Sequence, residues 1–187
     1  MKERRLDMTP FIDRMIRAAK LDVHLYEEVE ADKHAMNQAV GVVALSSLAG
    51  GIGFMQQAGV TGLVIGTVGS LLGWYIWALL TYLIGTKLLP EPQTQADHGE
   101  LLRTIGFSSA PGMIRIFGII PGLSGLVNLF AGVWMLVAMI IAVRQALDYH
   151  STYRAIGVCL IGWIVQAVIL ALILPMLGDV PELMLTN

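Results

Sequence analysis

Residues 60–84, VTGLVIGTVGSLLGWYIWALLTYLI, carry no charged side chain. Wound as an α-helix, the stretch is roughly 37 Å long, enough to cross a hydrocarbon core of about 30 Å with some tilt. Residues 123–143 and 155–178 are similarly long and uncharged. The chain has 187 residues, of which 56% are hydrophobic and only 14% charged. With a mean hydropathy of +0.69, it lies outside the range of soluble globular domains. An all-α integral membrane protein is the expected class.

Two further segments complete the count. Met36–Phe54 is uncharged but weaker, with Asn37 and Gln38 at its edge and Gly, Ala and Ser through its body. Leu101–Ile120 contains Arg115, Pro111 and Gly112, so it is expected either to cross as a helix broken near Pro111 or to re-enter. Basic residues arbitrate, because Lys and Arg concentrate on the cytoplasmic side near span ends. With five crossings and a cytoplasmic N-terminus, Lys87, Arg103, Arg144 and Arg154 all fall inside, and the loops at 55–59 and 121–125 carry neither Lys nor Arg. If 101–120 did not cross, Arg144 and Arg154 would be outside. The expected organisation is a cytoplasmic segment 1–34, a five-helix membrane domain 35–178 and a short non-cytoplasmic tail 179–187. The first 34 residues mix both signs of charge with no short apolar core before a cleavage site, so no signal peptide is expected.

Within that first segment, Thr9 and Pro10 form an N-cap and first-turn pair for a helix to about Leu21. Phe11, Ile12, Met15, Ile16 and Ala19 recur at helical spacing between Asp13, Arg14, Arg17 and Lys20. Such a helix lies in the headgroup layer or packs under the bundle. The acidic run EEVEAD, 27–32, is expected as a solvated linker, with docking to a basic partner as the alternative. Asp97 and Glu100 make a capping-box pair at the start of the third span. RQALDYHSTYR, 144–154, is expected to be a hairpin with Arg–Asp pairing and Ser151 or Thr152 opening the last helix; contact with a partner or headgroup is its other use.

Several chemistries are set aside. A net charge of −2 gives no basic face for nucleic acid. Cys159 stands alone, so neither a disulfide nor a thiolate metal site is available. His24, His34, His98 and His150 show no metal-ligand spacing, and no nucleophile elbow, zincin motif or phosphate loop occurs. No catalytic, cofactor or metal site is therefore expected, and the chain is read as a non-enzyme.

Arg115 is the conspicuous intramembrane group. A central arginine costs about 2.5–3.5 kcal/mol on insertion scales, which Ile114, Ile116, Phe117, Ile119 and Ile120 together only about offset. Asn128, Gln166 and the carbonyls near Phe107 and Ser108 are the expected polar partners, since Pro111 cannot donate a backbone bond. Arg115 is then a structural clamp, an anion or lipid-phosphate site in a wet cavity, or a snorkelling side chain; the backward lean of helical side chains favours an inward-facing guanidinium. Gly59, Gly62, Gly66, Gly69 and Gly73 fall on one face of the second span, where they would admit a neighbouring backbone within the bundle or in a homodimer. Trp74, Tyr75, Trp77, Tyr82, Trp134 and Trp163 are read as packing and interfacial anchors.

Five stretches together carry a resemblance: LYEEVEAD, TYLIGTKLL, GELLRTIGFSSAPGMIRIFGIIPG, WMLVAMIIAVRQALD and STYRAIGVCLIGW. From about Leu21 to Gly178 the chain resembles the Ypt-interacting-protein (Yip) family in its short prokaryotic form. The resemblance implies five transmembrane helices with a cytoplasmic N-terminus. Eukaryotic members bind prenylated Rab-type GTPases and one another, but where they carry Asp-Leu-Tyr-Gly-Pro this chain has His24, Leu25, Tyr26, Glu27 and Glu28. It also lacks their long N-terminal region, so Rab binding is not transferred. The expected function is a membrane scaffold or adaptor in a prokaryotic plasma membrane. Tyr26, Glu27 and Glu28 would contact a membrane or cytoplasmic protein partner, the glycine face would serve homo-oligomerisation, and lipids would surround the bundle. The alternative is a small transporter, channel or lipid-handling protein using Arg115 as an anion or phosphate site.

Overall fold

The structure, a computed structural model, describes residues 8–53 and 55–177. The expected tail 179–187 lies outside them. Every regular element among the described residues is helical: α1 Met8–Ala19, α2 Val23–Ala31, α3 Met36–Gly53, α4 Met55–Leu83, α5 His98–Phe107, α6 Ser124–Ala146 and α7 Thr152–Leu177. A 3₁₀ turn at Lys33–Ala35, a π-helical segment at Ile84–Leu88 and a 3₁₀ helix at Ala110–Ile119 complete the order.

Among the described residues, four helices are long and apolar enough to cross a membrane, over Lys33–Gly53, Gly59–Leu88, Ser124–Ala146 and Thr152–Ile169. Residues 98–119 are not among them, because they divide into α5 and the 3₁₀ helix with Pro111 in the latter's first turn. Proline has no N–H to return to Phe107, so the α-ladder cannot continue. Asp97 starts α5 with the expected capping box, its carboxylate accepting from the Glu100 N–H at 2.8 Å while the Glu100 carboxylate accepts from the Asp97 N–H at 2.7 Å. The two pieces run parallel to α3. A Cβ on Gly106 would press on Ala39 and one on Gly112 on Ser46, while Gly53 lies against Arg115 and Gly118.

Close backbone packing therefore belongs to a small-residue face of α3, not to the glycines of α4. A third of the α3 span is buried, the largest share among the four, and a helix so enclosed needs less hydrophobicity than one facing lipid. On α4, a Cβ at Gly66, Gly69 or Gly73 would meet nothing within 4 Å. Gly59 does not belong to that face, since its φ of 61° and ψ of −170° make it a kink inside α4. Only glycine takes that conformation without strain. The expected loop at 55–59 is accordingly helix and kink.

The N-terminal segment is docked. α1 is already helical at Met8, one residue before the expected cap at Thr9. It ends in a Schellman turn, with the Leu21 N–H donating to Ala18 O at 3.0 Å, the Asp22 N–H to Arg17 O at 3.0 Å, and Leu21 at φ 62°. That turn folds α2 back on α1. EEVEAD is thus mostly the second half of a helix, not a linker: Leu25, Tyr26 and Val29 are buried, in a core with Ala18, Ala39, Phe107 and Ala142. Arg14 pairs with Glu28 and Asp32 at 2.8 and 3.0 Å, and Arg17 with Asp22 and Glu28 at 2.8 and 2.7 Å. On α1, Phe11, Met15 and Ala19 pack on this core, while Ile12 and Ile16 remain exposed.

Arg103 fastens α2 to α5. It is buried, donating from Nε to Val29 O at 2.9 Å and from an Nη to Glu30 O. These are terminal carbonyls of α2, where a cation answers both the unpaired acceptors and the helix dipole. Replacing Arg103 with Ala should cost about 3 kcal/mol, the scale for losing charged hydrogen bonds to buried carbonyls. The check is a lowered unfolding temperature in detergent together with faster tryptic cleavage at Arg14 and Arg17.

Candidate functional site

Two concavities carry the polar side chains singled out by their sequence context. The first surrounds Arg115. Its Nε donates to Gly112 O at 3.2 Å, one turn back, and Nη2 donates to Ser46 Oγ at 3.0 Å. The backward lean is the one expected of a helical side chain, but the partners are not those expected. Asn128 donates to Ser124 O of its own helix at 2.7 Å. Gln166 shares the cavity without a hydrogen bond to Arg115 among the described residues, and the carbonyls near Phe107 are not used.

A cavity of about 460 Å³ lies on one side of Arg115, and a smaller one of about 190 Å³ also includes it. Ser46, Ser47, Ser70, Ser108, Ser109 and Gln166 supply the other polar walls of the larger. The open glycine side of α4 contributes Gly73 to this cavity and Gly62 and Gly66 to the smaller one. Two serine pairs in apolar surroundings, in ALSSLAG and GFSSAPG, were the sequence signal for this cluster. Neither alone says that the two pairs meet. Of the aromatics, Trp74 donates to Leu102 O at 3.0 Å and Trp134 to Ala19 O at 2.8 Å. They tie helices together by their N–H groups as well as by area.

The second concavity, of about 620 Å³, is lined by Glu27, Glu30, Gln93, Gln95, Arg144, Gln145, Asp148, Tyr149 and His150. It joins EEVEAD and RQALDYHSTYR, far apart in sequence, across the polar loop 89–97. Gln145 Nε2 donates to Glu27 at 3.0 Å, Gln93 to Asp148 O at 2.9 Å and the His150 N–H to Glu91 at 3.0 Å. The expected Arg–Asp pair does not form among the described residues; Arg144 donates to Tyr149 O at 3.2 Å, and Arg154 meets a different carboxylate, Glu91, at 3.4 Å. Glu91 is the nearer acid because the loop it sits on folds across the turn. Ser151 stands at the N-cap position of α7, its carbonyl accepting from the Arg154 N–H at 3.2 Å.

The three residues proposed for partner contact divide. Tyr26 is wholly buried, its hydroxyl donating to Ala18 O at 3.4 Å, and burial raises its pKa far above the ordinary phenol. Glu28 is held by Arg14 and Arg17. Glu27 lines the groove and is exposed. Tyr149, within the 144–154 turn, is buried, its hydroxyl shared between the carbonyls of Gly85 and Leu89 at 3.0 and 2.8 Å. Burial pushes its pKa up to about 12.

Among comparisons with known proteins, a family model described as the Yip1 domain matches residues 35–175. No curated protein and no solved structure matches the chain.

The groove contains one carboxyl that titrates near neutrality. Burial first, then the charges of Asp148, Glu100 and Glu27, raise Glu30 to about 7, with Arg103 pulling the other way. The folded state thus holds this proton more tightly than the unfolded chain, so its contribution to stability falls as pH rises from about 4.5 to about 7 and is then level. Glu30→Gln should remove that component. Unfolding temperatures across this pH range should decline less in the variant, and at pH 8 the variant should melt above the wild type.

Proposed function

This chain belongs to the Yip1 domain family, and from that premise we propose that it is a non-enzymatic membrane scaffold whose cytoplasmic groove receives a basic protein segment. The carrying observation is the convergence of α2, the 89–97 loop and the α6–α7 turn on one acidic concavity. Glu27, Glu30 and Asp148 face it, with Arg144 as the single permanent cation among its described lining residues. Because α2 is fastened by Arg103 and Gln145, the surface is pre-ordered and a partner need not order it on binding.

In this reading the 3₁₀ helix and α5 together make a fifth crossing. At helical rises the two pieces reach about 35 Å, and they accompany α3 from Ala39 to Gly53. The N-terminus is then cytoplasmic and the C-terminus outside, with Lys87, Arg144 and Arg154 inside as the distribution of positive charge requires. The exposed Ile12 and Ile16 of α1 sit at the headgroup layer of a prokaryotic plasma membrane.

The test uses photo-crosslinkers at Gln93 and His150 in native membranes. Adducts should map to a Lys- or Arg-rich segment and weaken as salt is raised. Glu27→Lys with Asp148→Asn should reduce capture by about ten-fold, a change of 1.4 kcal/mol, while Arg115→Gln leaves it intact. Capture indifferent to both charge changes and salt would remove the adaptor reading.

A further inference from the structure

We propose that the cavity around Arg115 binds an oxyanion of the phosphate type, presented by a phospholipid headgroup entering from the side of α4. The inference does not rest on the cytoplasmic groove, which is built from other residues.

A guanidinium has five N–H donors and cannot be neutralised at any physiological pH. Arg115 spends one on Gly112 O and one on Ser46 Oγ, and no carboxylate lies within ion-pair distance of it among the described residues. A clamp would answer the charge. Here it meets only a neutral hydroxyl and a carbonyl of its own helix.

Neither cavity includes an Asp or Glu among its described lining residues. Ser46 accepts from Arg115 and keeps its own O–H to give; the side chains of Ser70, Ser109 and Gln166 have no hydrogen-bond partner among the described residues. Trp77, 8% exposed, also lines the larger cavity, and its indole N–H is buried without a partner. Ser47 and Ser108 are exceptions, since their hydroxyls donate to Val43 O and Ile105 O. The remaining free donors stand around a permanent cation. That is a lining for an anion with several acceptor oxygens, since Arg recognises phosphate through parallel N–H donors.

Ser46, Ser70, Met135 and Gln166 fall near the middles of α3, α4, α6 and α7. Intramembrane ionisable groups at such a depth mark ligand or substrate sites by default, and irregular backbone is tolerated in a membrane where it lines a cavity. The 3₁₀ helix that carries Arg115 is such backbone. The apolar share of the lining, including Trp74, Trp163, Met135 and Met139, suits the glycerol and acyl part of an amphiphile. On α4, the empty space over Gly66, Gly69 and Gly73 leaves room for it to enter.

The experiment places the full chain in phosphatidylcholine nanodiscs containing about 10% phosphatidylglycerol and counts retained lipids by native mass spectrometry. The wild type should retain phosphatidylglycerol about ten-fold over its share. Arg115→Gln should abolish this preference, and Arg115→Lys should keep part of it. Ser70→Leu, which fills the cavity from α4 while leaving the charge in place, should abolish it too. Ser70 is exposed, so this variant decides the matter if Arg115→Gln fails to fold. A second arm titrates inorganic phosphate in phosphatidylcholine-only nanodiscs and reads unfolding temperature. Stabilisation by phosphate in the wild type but not in Ser70→Leu, without lipid preference, assigns the same oxyanion site to a soluble source. Wild-type protein with neither lipid preference nor phosphate response overturns the proposal, as does a preference unchanged in both Arg115→Gln and Ser70→Leu.

Discussion

In a hydrocarbon surround, a helix that stops must have its freed backbone groups answered by the protein itself, and the stop between Phe107 and Pro111 imposes that condition on the whole bundle. The Ser108 hydroxyl turns back to Ile105 O at 2.7 Å and the Gly112 N–H reaches Ser109 O at 2.9 Å. The rest is shielding. α3 lies along the interruption with Ala39, Ser46, Gly50 and Gly53 turned toward it. Larger side chains on that face of α3 would hold the two backbones apart and open the break to lipid.

This explains which parts of the fold could be read in advance. Residues 60–84, 123–143 and 155–178 declare themselves because their helices face lipid on most sides, and hydropathy measures that exposure. The capping box at Asp97 and Glu100 is equally legible, being complete within four residues. α3 was the weaker reading because its small residues are there for packing, and packing partners lie elsewhere in the chain. The glycines of α4 gave the opposite impression. Their spacing matched a packing face, yet the structure leaves most of that face open, since spacing reports which residues share a side and not what stands opposite.

Burial of polar residues was the least legible feature. Tyr26 sits in a run with three acidic neighbours, and only the return of α2 against α1 and α5 turns it inward. Arg103 resembled an ordinary positive charge at a span end, and its acceptors, Val29 O and Glu30 O, are more than 70 residues away. The serines around Arg115 come from α3, α4 and the joint after α5. Each is unremarkable singly, and only tertiary structure collects them about a cation.

The fastening of α2 has a consequence for the order in which the protein is made. Its holdfasts, Arg103 on α5 and Gln145 near the end of α6, are synthesised long after it. During insertion the first helices therefore enter the bilayer while α2 has only α1 and α3 to pack on, and Leu25, Tyr26 and Val29 lack the Phe107 and Ala142 side of their core. The cap closes only when α6 has been delivered in the correct direction, so its closure records completed insertion. Any chaperone or protease that recognises the uncovered apolar side of α2 would distinguish a half-built bundle from a finished one.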